Sequence, residues 1–409
     1  MLRVGSDFSG VGAFNQSLMR LGVEFEEVFA CDMDKYARDT FIHNYGEPKY
    51  YPTNVYDREI PSQSLDIYMT SPPCQAFSLA GKRLGKDDMR GILFFNSHEF
   101  IQVNKPRFFI FENVKGLLSD DGGKTFQEWV NMLGGKSVNG VPVLFPYDSS
   151  VPYHLYWQVL NAKHHGIPQN RERVFLVGIR DDQDNKFQFP REEHLTKRLK
   201  DVLEDAVDEK YFLSMERIET ITKAERSIGW TDAELKNTAN CVLTGYAKNP
   251  TDGEYLKIKS ATSKGYEEAT DGDSINFKNI NSETRRGRVG KGVAQTIESN
   301  NMSQAVIYNC KRLNETLSKT ELPKGEPKAI DTYNQKVQDN APTLTEPHHN
   351  TTRLWDGYKI RRLTPRECFR LMDFPDTFTW KVSDSQAYKQ AGNSIVVNVL
   401  YKILKQLPL

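Results

Sequence analysis

Cysteine is scarce in this chain, and its cysteines do not stand at spacings that build a disulfide framework or a zinc site. The 409 residues contain five cysteines, which are widely scattered and form no CxxC pair. The histidines form no HxxxH motif or His/Asp cluster, so we expect no metal. No apolar run approaches the roughly 18 residues that a membrane span needs, and the start of the chain lacks a signal-peptide profile. We therefore expect a cytoplasmic protein without a membrane partner.

An excess of charge of one sign is lacking as well. The 54 basic residues balance the 54 acidic residues, so no global basic signature indicates nucleic acid, although a local basic patch is compatible with this balance. Hydrophobic residues make up 38% of the chain and charged residues 26%, which is the composition of an ordinary folded protein. The length suffices for one large domain with a second domain or a large insertion.

The first half of the chain alternates strand-like and helix-like segments. Apolar, β-branched or aromatic runs predict strands at 2–8, 25–31, 65–70, 107–114, 153–160 and 174–179. Helical patterns lie between them at 13–21, 93–103 and 125–133. This rhythm is typical of βαβ units, and it predicts an α/β fold in which helices flank a mostly parallel sheet.

Regular patterns return near the end of the chain, after Ile360. Thr364, Pro365 and Glu367 form the signature of a capped helix start, with the Pro at the first helical position and the Glu three residues after the cap. The segment 393–407 predicts a closing amphipathic helix.

Between these regions the sequence changes character. From about residue 185 it is charged and without strand periodicity, and it then becomes rich in Asn, Thr, Ser, Lys and Gly. The simplest architecture is an α/β domain built from 1–185 and 355–409, with 186–354 inserted as a smaller second domain.

Two glycines follow the first predicted strand and open a helix. In "DFSGVGAF", Gly10 and Gly12 let backbone N–H groups approach a ligand closely. Asp32, at the end of the second strand, is placed to hold a ribose hydroxyl pair. Asn15 interrupts the GxGxxG pattern of dinucleotide sites, so a single nucleoside-type ligand such as an adenosyl cofactor fits better. A tight turn without a ligand is the alternative.

"TSPPCQAFS" places Cys74 directly behind two prolines, after the third predicted strand. Open α/β sheets bind ligands at the carboxyl ends of their strands. Pro72 and Pro73 fix the local backbone, and the polar, glycine-containing sequence beyond them is unlike a core strand. The residues leave two interpretations open: a nucleophile at this edge, or a small buried hydrophobic side chain.

"FFIFENV" and "GIPQNRERVFLVGI" bring polar side chains to the same edge. Glu112 ends an apolar strand, where partial burial would raise its carboxyl pKa and suit it to proton donation. An exposed strand-end carboxylate is the commoner alternative. Arg171 and Arg173 alternate to one side and offer donors to an anion or a carbonyl, although surface ion pairs are the commoner explanation for such arginines.

Six motifs in this order resemble the cytosine-5 DNA methyltransferases. They are "DFSGVGAF", "SPPCQAFS", "FENV", "QNRERV", "RRLTPRECFRLMDFPD" and "QAGNSIVVNVL", and they lie within 1–185 and 355–409. The resemblance implies a Rossmann-like catalytic domain whose halves flank the family's variable target-recognition region. It also implies an S-adenosylmethionine-dependent enzyme of bacterial or phage type that acts as a monomer on double-stranded DNA. Any cognate restriction endonuclease would act separately.

The resemblance implies a mechanism as well. Cys74 would attack carbon 6 of a flipped-out cytosine as a thiolate, which makes carbon 5 nucleophilic enough to take a methyl group. Glu112 would contact ring nitrogen 3 and the exocyclic amine, and Arg171 and Arg173 would contact the carbonyl region of the base. The loop Gln75–Leu93 would close over DNA. The sequence names no base for the loss of the carbon-5 proton.

Cofactor and DNA contacts follow from the same motifs. Asp32 would hold the ribose, Met33 would lie on the adenine, and Asn54 stands where the family usually has an Asp that reads the adenine amine. The expected cofactor-binding residues are Phe8, Gly10, Val11, Gly12, Asp32, Met33, Asn54, Leu93, Asn393 and Ser394. The expected DNA contacts are Gln75, Ser78 and Arg90, with Arg285 and Arg288 of the basic segment "TRRGRVGK" in the inserted domain. A solvated charged loop is the alternative for that segment.

The sequence also departs from the family pattern and leaves alternatives. Ser6 stands two before Phe8, where the family often has an acidic residue, and Asp7 adjoins the Phe instead. "SPPC" replaces the commoner "GFPC". A tRNA cytosine-5 methyltransferase of the same family also carries "PPC", but its usual Cys-Phe-Thr signature is missing. A DNA-binding relative without catalysis is the second alternative. The intact set of catalytic side chains argues against it.

Overall fold

The computed structural model of the chain divides into two compact units. The described residues are 1–73, 92–183, 186–212, 256–269, 273–276, 284, 286–295, 304–308, 329–331, 336–338, 352–354, 359–361 and 363–409. Unit 1 comprises Met1–Lys197, Thr296–Asn300 and Cys368–Leu409, and unit 2 comprises Arg198–Gln295 and Asn301–Glu367. Within the described part of the chain, no helix has the length and apolar character needed to cross a membrane.

Unit 1 is built on a mostly parallel sheet. Its strands are β1 (Leu2–Asp7), β2 (Phe25–Cys31), β3 (Ile67–Thr70), β4 (Phe108–Val114), β5 (Ser137–Val138), β6 (Val141–Pro142), β7 (Tyr153–Asn161), β8 (Gln169–Asn170) and β9 (Glu172–Arg180). Eight of them form one sheet in the order β2-β1-β3-β4-β9-β7-β5-β6. Strands β1 to β4 run parallel to one another, whereas β9 runs antiparallel to both β4 and β7. The predicted α/β fold is confirmed.

Seven α-helices accompany these strands in the described part of the chain. They are α1 (Ala13–Leu21), α2 (Lys35–Tyr45), α3 (Ile92–Asn104), α4 (Lys124–Leu133), α5 (Pro365–Leu371), α6 (Asp384–Asn393) and α7 (Val397–Leu404). Shorter 3₁₀ segments occupy Lys115–Gly123, Ala162–His165, Leu199–Val202 and Glu209–Tyr211.

Aromatic side chains fill the core between the sheet and helices α3 and α4. Phe94 of α3 stacks on Trp129 of α4 with ring centroids 4.2 Å apart, and Phe100 of α3 stacks on Tyr68 of β3 at the same separation. All four rings are buried. Because aromatic rings bury large apolar areas, these contacts hold the central strands firmly from one face.

Side-chain caps set two of the helix starts. Asp34 precedes α2, and its carboxylate accepts the N–H groups of Tyr36 and Ala37 at 2.9 and 3.2 Å. The capped start predicted for α5 is confirmed, since Thr364 N–H donates to the Glu367 carboxylate at 2.8 Å and Glu367 N–H donates to the Thr364 hydroxyl at 3.2 Å. These reciprocal bonds satisfy backbone donors that the first helical turn cannot satisfy itself.

Two features differ from the sequence pattern. The predicted closing amphipathic helix is confirmed as α7, but it is shorter than the predicted 393–407, because α6 ends at Asn393 and α7 begins only at Val397. Ser394 between them has an extended backbone with φ −70° and ψ 159°, which breaks the helical path. The β5–β6 hairpin was not predicted, although its turn, Asn139-Gly140, has positive φ at both residues and is a strong hairpin signal.

The described strands of unit 2 are short, and all except β14 pair with one another in antiparallel fashion. They are β10 (Leu256–Lys259), β11 (Tyr266–Ala269), β12 (Ser274–Asn276), β13 (Val289–Gly290), β14 (Ala294–Gln295), β15 (Gln304–Tyr308), β16 (Ala329–Asp331), β17 (Lys336–Gln338), β18 (Thr352–Leu354) and β19 (Lys359–Arg361). Sheets with the orders β10-β11, β13-β12-β15-β19 and β17-β16-β18 result. The Glu267 carboxylate accepts the N–H groups of Gly287 and Val289 at 2.9 and 3.1 Å, which fixes the approach to β13.

Close packing across the central strands generates a stability prediction. Gly178 of β9 lies opposite Phe109 of β4, and a Cβ added there would come within 2.1 Å of the Phe109 ring. We expect Gly178→Ala to lower the free energy of unfolding in urea by about 1–3 kcal/mol, because the ring must leave a packed position. Adding Phe109→Leu should recover part of the loss. Gly116→Ala is the control, since the nearest atom to its added Cβ is 3.7 Å away; equal losses at both glycines would contradict this explanation.

Candidate active site

Polar groups of unit 1 converge at one edge of the sheet. Strand register places Asp7 beside Thr70, and Thr70 beside Phe111, so the parallel strands end together. Strand β9 runs the opposite way and begins at this edge, with Arg173 paired to Val114. The strand order reverses between β1 and β3, which is the position where open α/β sheets bind ligands.

The loop after β1 has the geometry of a close ligand approach. Phe8, Gly10 and Gly12 have φ of 56°, 54° and 85°. Gly10 N–H donates to an Asp32 carboxylate oxygen at 2.8 Å. A Cβ on Gly12 would meet the Tyr45 ring at 2.3 Å, so both its backbone angle and its neighbour require glycine. Helix α1 starts here without a side-chain cap, and its first N–H groups can serve a ligand.

Asp32 and Met33 lie next to this loop, just beyond β2. The Asp32 carboxylate accepts the N–H groups of Gly10 and Asp34, each at 2.8 Å. Burial raises the pKa of this carboxyl, and the two hydrogen bonds oppose that rise. Met33 is 85% exposed. A fixed carboxylate beside an exposed apolar side chain fits the hydroxyl pair and the ring face of a nucleoside.

The remaining expected cofactor contacts lie in different settings. Val11 and Ser394 are buried, Phe8 and Leu93 are partly buried, and Asn54 and Asn393 are exposed. The Asn54 side chain takes part in a local turn: its oxygen accepts the Tyr56 N–H at 3.1 Å, and its amide donates to Asp57 at 3.2 Å. The Asn54 side chain therefore already has local hydrogen-bond partners, and a contact with the adenine expected from the sequence would be made alongside them.

The chain is held firmly where it leaves β3. Thr70 and Ser97 hydroxyls are 2.9 Å apart, and the Asn113 amide donates to the Pro72 carbonyl at 3.2 Å. Pro72 is buried. The predicted site residues that come next, Cys74, Gln75, Ser78 and Arg90, lie outside the described residues.

Glu112, which is buried, and Arg173, which is half-buried, form an ion pair at the edge. Arg173 Nε lies 3.0 Å from Glu112 Oε1, and their side chains are only 17% and 10% exposed. Burial raises the pKa of the Glu112 carboxyl, while the guanidinium groups of Arg173 and Arg171 oppose that rise. The buried position of Glu112 confirms the desolvation expected from the sequence, and it is not the exposed strand-end carboxylate of the alternative.

Arg171 is buried and directed at the C-terminal segment. Its Nη2 donates to the carbonyls of Gly392 and Ser394 at 3.1 and 2.8 Å. Burial, followed by the nearby Arg173, lowers its pKa to about 9, which still leaves the guanidinium charged near neutral pH. Arg171 thereby fixes the segment that carries Asn393, and Arg173 is the arginine that contacts Glu112.

The structure corrects the expectation for Arg288. This side chain is completely buried, and its Nη1 donates to the carbonyl of Asn276 at 3.1 Å. An arginine packed inside unit 2 offers no surface contact to a phosphate, so the expectation that Arg288 binds DNA is wrong. Arg285 lies outside the described residues.

Sequence patterns did not single out three amide side chains that hold the edge. Asn161 accepts the N–H of Arg171 at 3.2 Å, Gln169 donates to the Leu371 carbonyl at 2.8 Å, and Asn113 holds the exit of β3. Asn113 and Asn161 interrupt or end the apolar strands β4 and β7, whereas Gln169 lies in the short polar strand β8. That interruption was the available signal, because buried polar groups need defined partners.

The chain matches one protein family over nearly its whole length. Residues 2–408 match the family model of the C-5 cytosine-specific DNA methylases. The chain therefore belongs to this family of DNA (cytosine-5-)-methyltransferases, and the resemblance given by its motifs is confirmed.

Individual relatives agree with this assignment. The chain is 32% identical to the orphan methyltransferase M.SPRI of Bacillus phage SPR, over 99% of this chain and 97% of the relative. It is 30% identical to the type II methyltransferase M.HpaII of Haemophilus parainfluenzae, over 98% and 88% of the two chains. It is 29% identical to the type II methyltransferase M.HhaI of Haemophilus parahaemolyticus, over 97% and 91%.

Solved structures share the fold. A Spodoptera frugiperda DNMT2 variant superposes with a TM-score of 0.58 at 16% identity, covering 99% of both chains. The S. pombe Dnmt2 methyltransferase superposes with a TM-score of 0.53 at 17% identity, covering 99% of this chain and 97% of its own.

Two glycines with left-handed backbones provide a matched test of the loop after β1. Gly10 and Gly22 have φ of 54° and 74°, and an added Cβ would meet nothing within 4 Å at either. We expect Gly10→Ala and Gly22→Ala each to cost about 1–2 kcal/mol of unfolding free energy. Only Gly10→Ala should weaken S-adenosylmethionine binding in calorimetry, because Gly10 is bonded to Asp32. Unchanged affinity in Gly10→Ala would contradict a role for this loop.

Proposed function

We propose that this chain transfers a methyl group from S-adenosylmethionine to carbon 5 of a cytosine in double-stranded DNA. The observation that carries the proposal is the ion pair of the buried Glu112 with Arg173, which lies at the same sheet edge as the glycine loop and Asp32. Membership of the cytosine-5 family supports the reaction type.

The residues of the edge suit the cofactor. S-Adenosylmethionine supplies, when bound, the electrophilic methyl group and leaves as S-adenosylhomocysteine. Gly10 and Gly12 let the backbone approach it, the Asp32 carboxylate accepts from its ribose hydroxyls, and Met33 covers one face of its adenine. Phe8, Val11, Asn54, Leu93, Asn393 and Ser394 complete the proposed site.

The chemistry on the base begins with Cys74. Its thiolate adds to carbon 6, and the electron pair of the carbon 5–carbon 6 double bond becomes available at carbon 5 for methyl transfer. Glu112 holds the exocyclic amine and shares its proton with ring nitrogen 3, which stabilises the charge that develops on the ring. Arg173 orients Glu112 and contacts the base. Loss of the carbon-5 proton then expels Cys74 and restores the double bond.

The base must leave the double helix for this chemistry, because carbon 6 is not accessible in a stacked pair. Gln75, Ser78 and Arg90 follow the nucleophile in sequence and are proposed DNA contacts, together with Arg285. Unit 1 contains most of the catalytic domain proposed for 1–185 and 355–409, and unit 2 contains most of the target-recognition domain proposed for 186–354.

The setting proposed for the enzyme is the cytoplasm of a bacterial or phage-infected cell. The named relatives include one orphan phage methyltransferase and two type II methyltransferases. We propose that this chain acts as a monomer and that a cognate endonuclease, where one exists, is a separate protein.

A methyl-transfer assay with labelled S-adenosylmethionine tests the assignment. Wild-type protein should label mixed-sequence double-stranded DNA, and bisulfite sequencing should place the methyl group on cytosine. Cys74→Ser should abolish turnover, and Glu112→Gln should reduce it by about 10²–10⁴-fold, the usual contribution of an acid–base group. Both variants should still bind the cofactor.

Glu26→Gln is the control for Glu112→Gln. Glu26 also pairs with a cation, Lys49, at 2.8 Å, but at the exposed surface, and its loss should leave turnover unchanged. Labelling of tRNA alone would favour the RNA-directed alternative. Turnover that survives Cys74→Ser would contradict the proposed chemistry.

A further inference from the structure

An ion pair that the proposed reaction does not use lies inside unit 1. Arg58 Nε is 3.0 Å from Asp7 Oδ1, and the two side chains are 2% and 0% exposed. The hydroxyl of Tyr68 donates to the other Asp7 oxygen at 2.5 Å. Burial raises the pKa of the Asp7 carboxyl, and Arg58 and then Tyr68 oppose that rise.

Aromatic rings surround the pair. The Arg58 guanidinium lies 4.6 Å from the Phe100 ring centroid and 5.7 Å from that of Phe29, and its Nη2 donates to the Asn96 carbonyl at 3.4 Å. Removing two charges from water is costly, and replacing such pairs by apolar side chains is often neutral or stabilising. Stability alone is therefore a weak explanation for this pair.

The pair joins two segments of the proposed cofactor site. Asp7 ends β1 and directly precedes Phe8, where the glycine loop begins. Arg58 follows the turn that contains Asn54. That turn is preceded by a segment lying along β2, where Pro52 accepts the Asp32 N–H at 3.3 Å.

We propose that Arg58, acting through Asp7, is a positioning residue for S-adenosylmethionine. This inference rests on the proposed function. The pair fixes the turn containing Asn54 relative to the glycine loop, so both parts of the cofactor site are held before the ligand arrives. Preorganisation of this kind lowers the ordering cost of binding. Neither side chain touches the reacting atoms, so the effect should fall on cofactor affinity and leave the chemical step intact.

The informative variant replaces the whole pair by apolar side chains. Arg58→Met alone leaves Asp7 buried and unpaired, and it should lower the melting temperature strongly. Asp7→Leu/Arg58→Met removes both charges and should recover most of the melting temperature. Its dissociation constant for S-adenosylmethionine in calorimetry should nevertheless stay about tenfold or more above that of the wild type. Its kcat at saturating cofactor and DNA should remain within about threefold, with the loss confined to the cofactor KM.

A second Asp–Arg pair, which is more exposed, provides the control. Arg107 Nη1 lies 2.9 Å from Asp66 Oδ1, and these residues precede β4 and β3 at the opposite edge of the sheet. Asp66→Leu/Arg107→Met should leave cofactor affinity unchanged, whatever it does to the melting temperature.

Arg58→Lys replaces the double variant at Asp7 and Arg58 in this test if that double variant does not fold. It keeps the charge but loses the planar contact with Phe100, and it should also raise the dissociation constant.

The outcomes distinguish a failure of the positioning role of Arg58 from a failure of the proposed function. Cofactor affinity equal to the wild type in the folded double variant, or in Arg58→Lys, would overturn the positioning role. An equal loss of affinity in the Asp66/Arg107 control would overturn it too, because the effect would then be general destabilisation. Wild-type protein that binds no S-adenosylmethionine would instead overturn the proposed function, and this inference with it.

Discussion

The antiparallel entry of β9 beside β4 is the constraint on which the candidate site depends. A parallel neighbour would place its first residues at the far edge of the sheet. Because β9 runs the other way, its first residues meet the last residues of β4, and Arg173 lies 3.0 Å from Glu112. The same reversal brings Arg171 next to Asn161 at the end of β7. One change of strand direction thus assembles side chains from three segments of the chain.

Several charged side chains at this edge of the sheet are buried. Asp7, Glu112 and Arg171 are all buried, and each has a defined partner in Arg58, Arg173 or the carbonyls of Gly392 and Ser394. Such groups lose solvation and gain strong, directional contacts in return. Fixed groups of this kind suit catalysis, since they need little reorganisation when charge develops on a substrate.

Patterns within one segment were predictable from the sequence, whereas pairings between distant segments were not. The strand ending in Glu112 and the capped start at Thr364 follow from local periodicity and capping rules. Helix α2 escaped prediction because its sequence is polar and only weakly amphipathic. Arg58 escaped because nothing near it in sequence reveals that it reaches Asp7.

Arg288 is a second example of a side-chain position that local sequence does not reveal. Its basic segment indicated a surface patch, but local sequence does not tell which arginine of such a segment turns inward to a carbonyl. The positions of the catalytic motifs said more about the site than single basic residues did, because the family's order of motifs reflects the order of strands at the sheet edge.

The most direct test of the proposed chemistry is to trap the bond between Cys74 and cytosine. Fluorine at carbon 5 cannot leave as a proton does, so DNA containing 5-fluorocytosine should stop the reaction after methyl transfer. With S-adenosylmethionine present, wild-type protein should form a DNA complex that survives denaturation, and peptide mapping should place the bond on Cys74. A bond on another cysteine such as Cys31 or Cys368, or no complex from protein that methylates ordinary DNA, would contradict the mechanism.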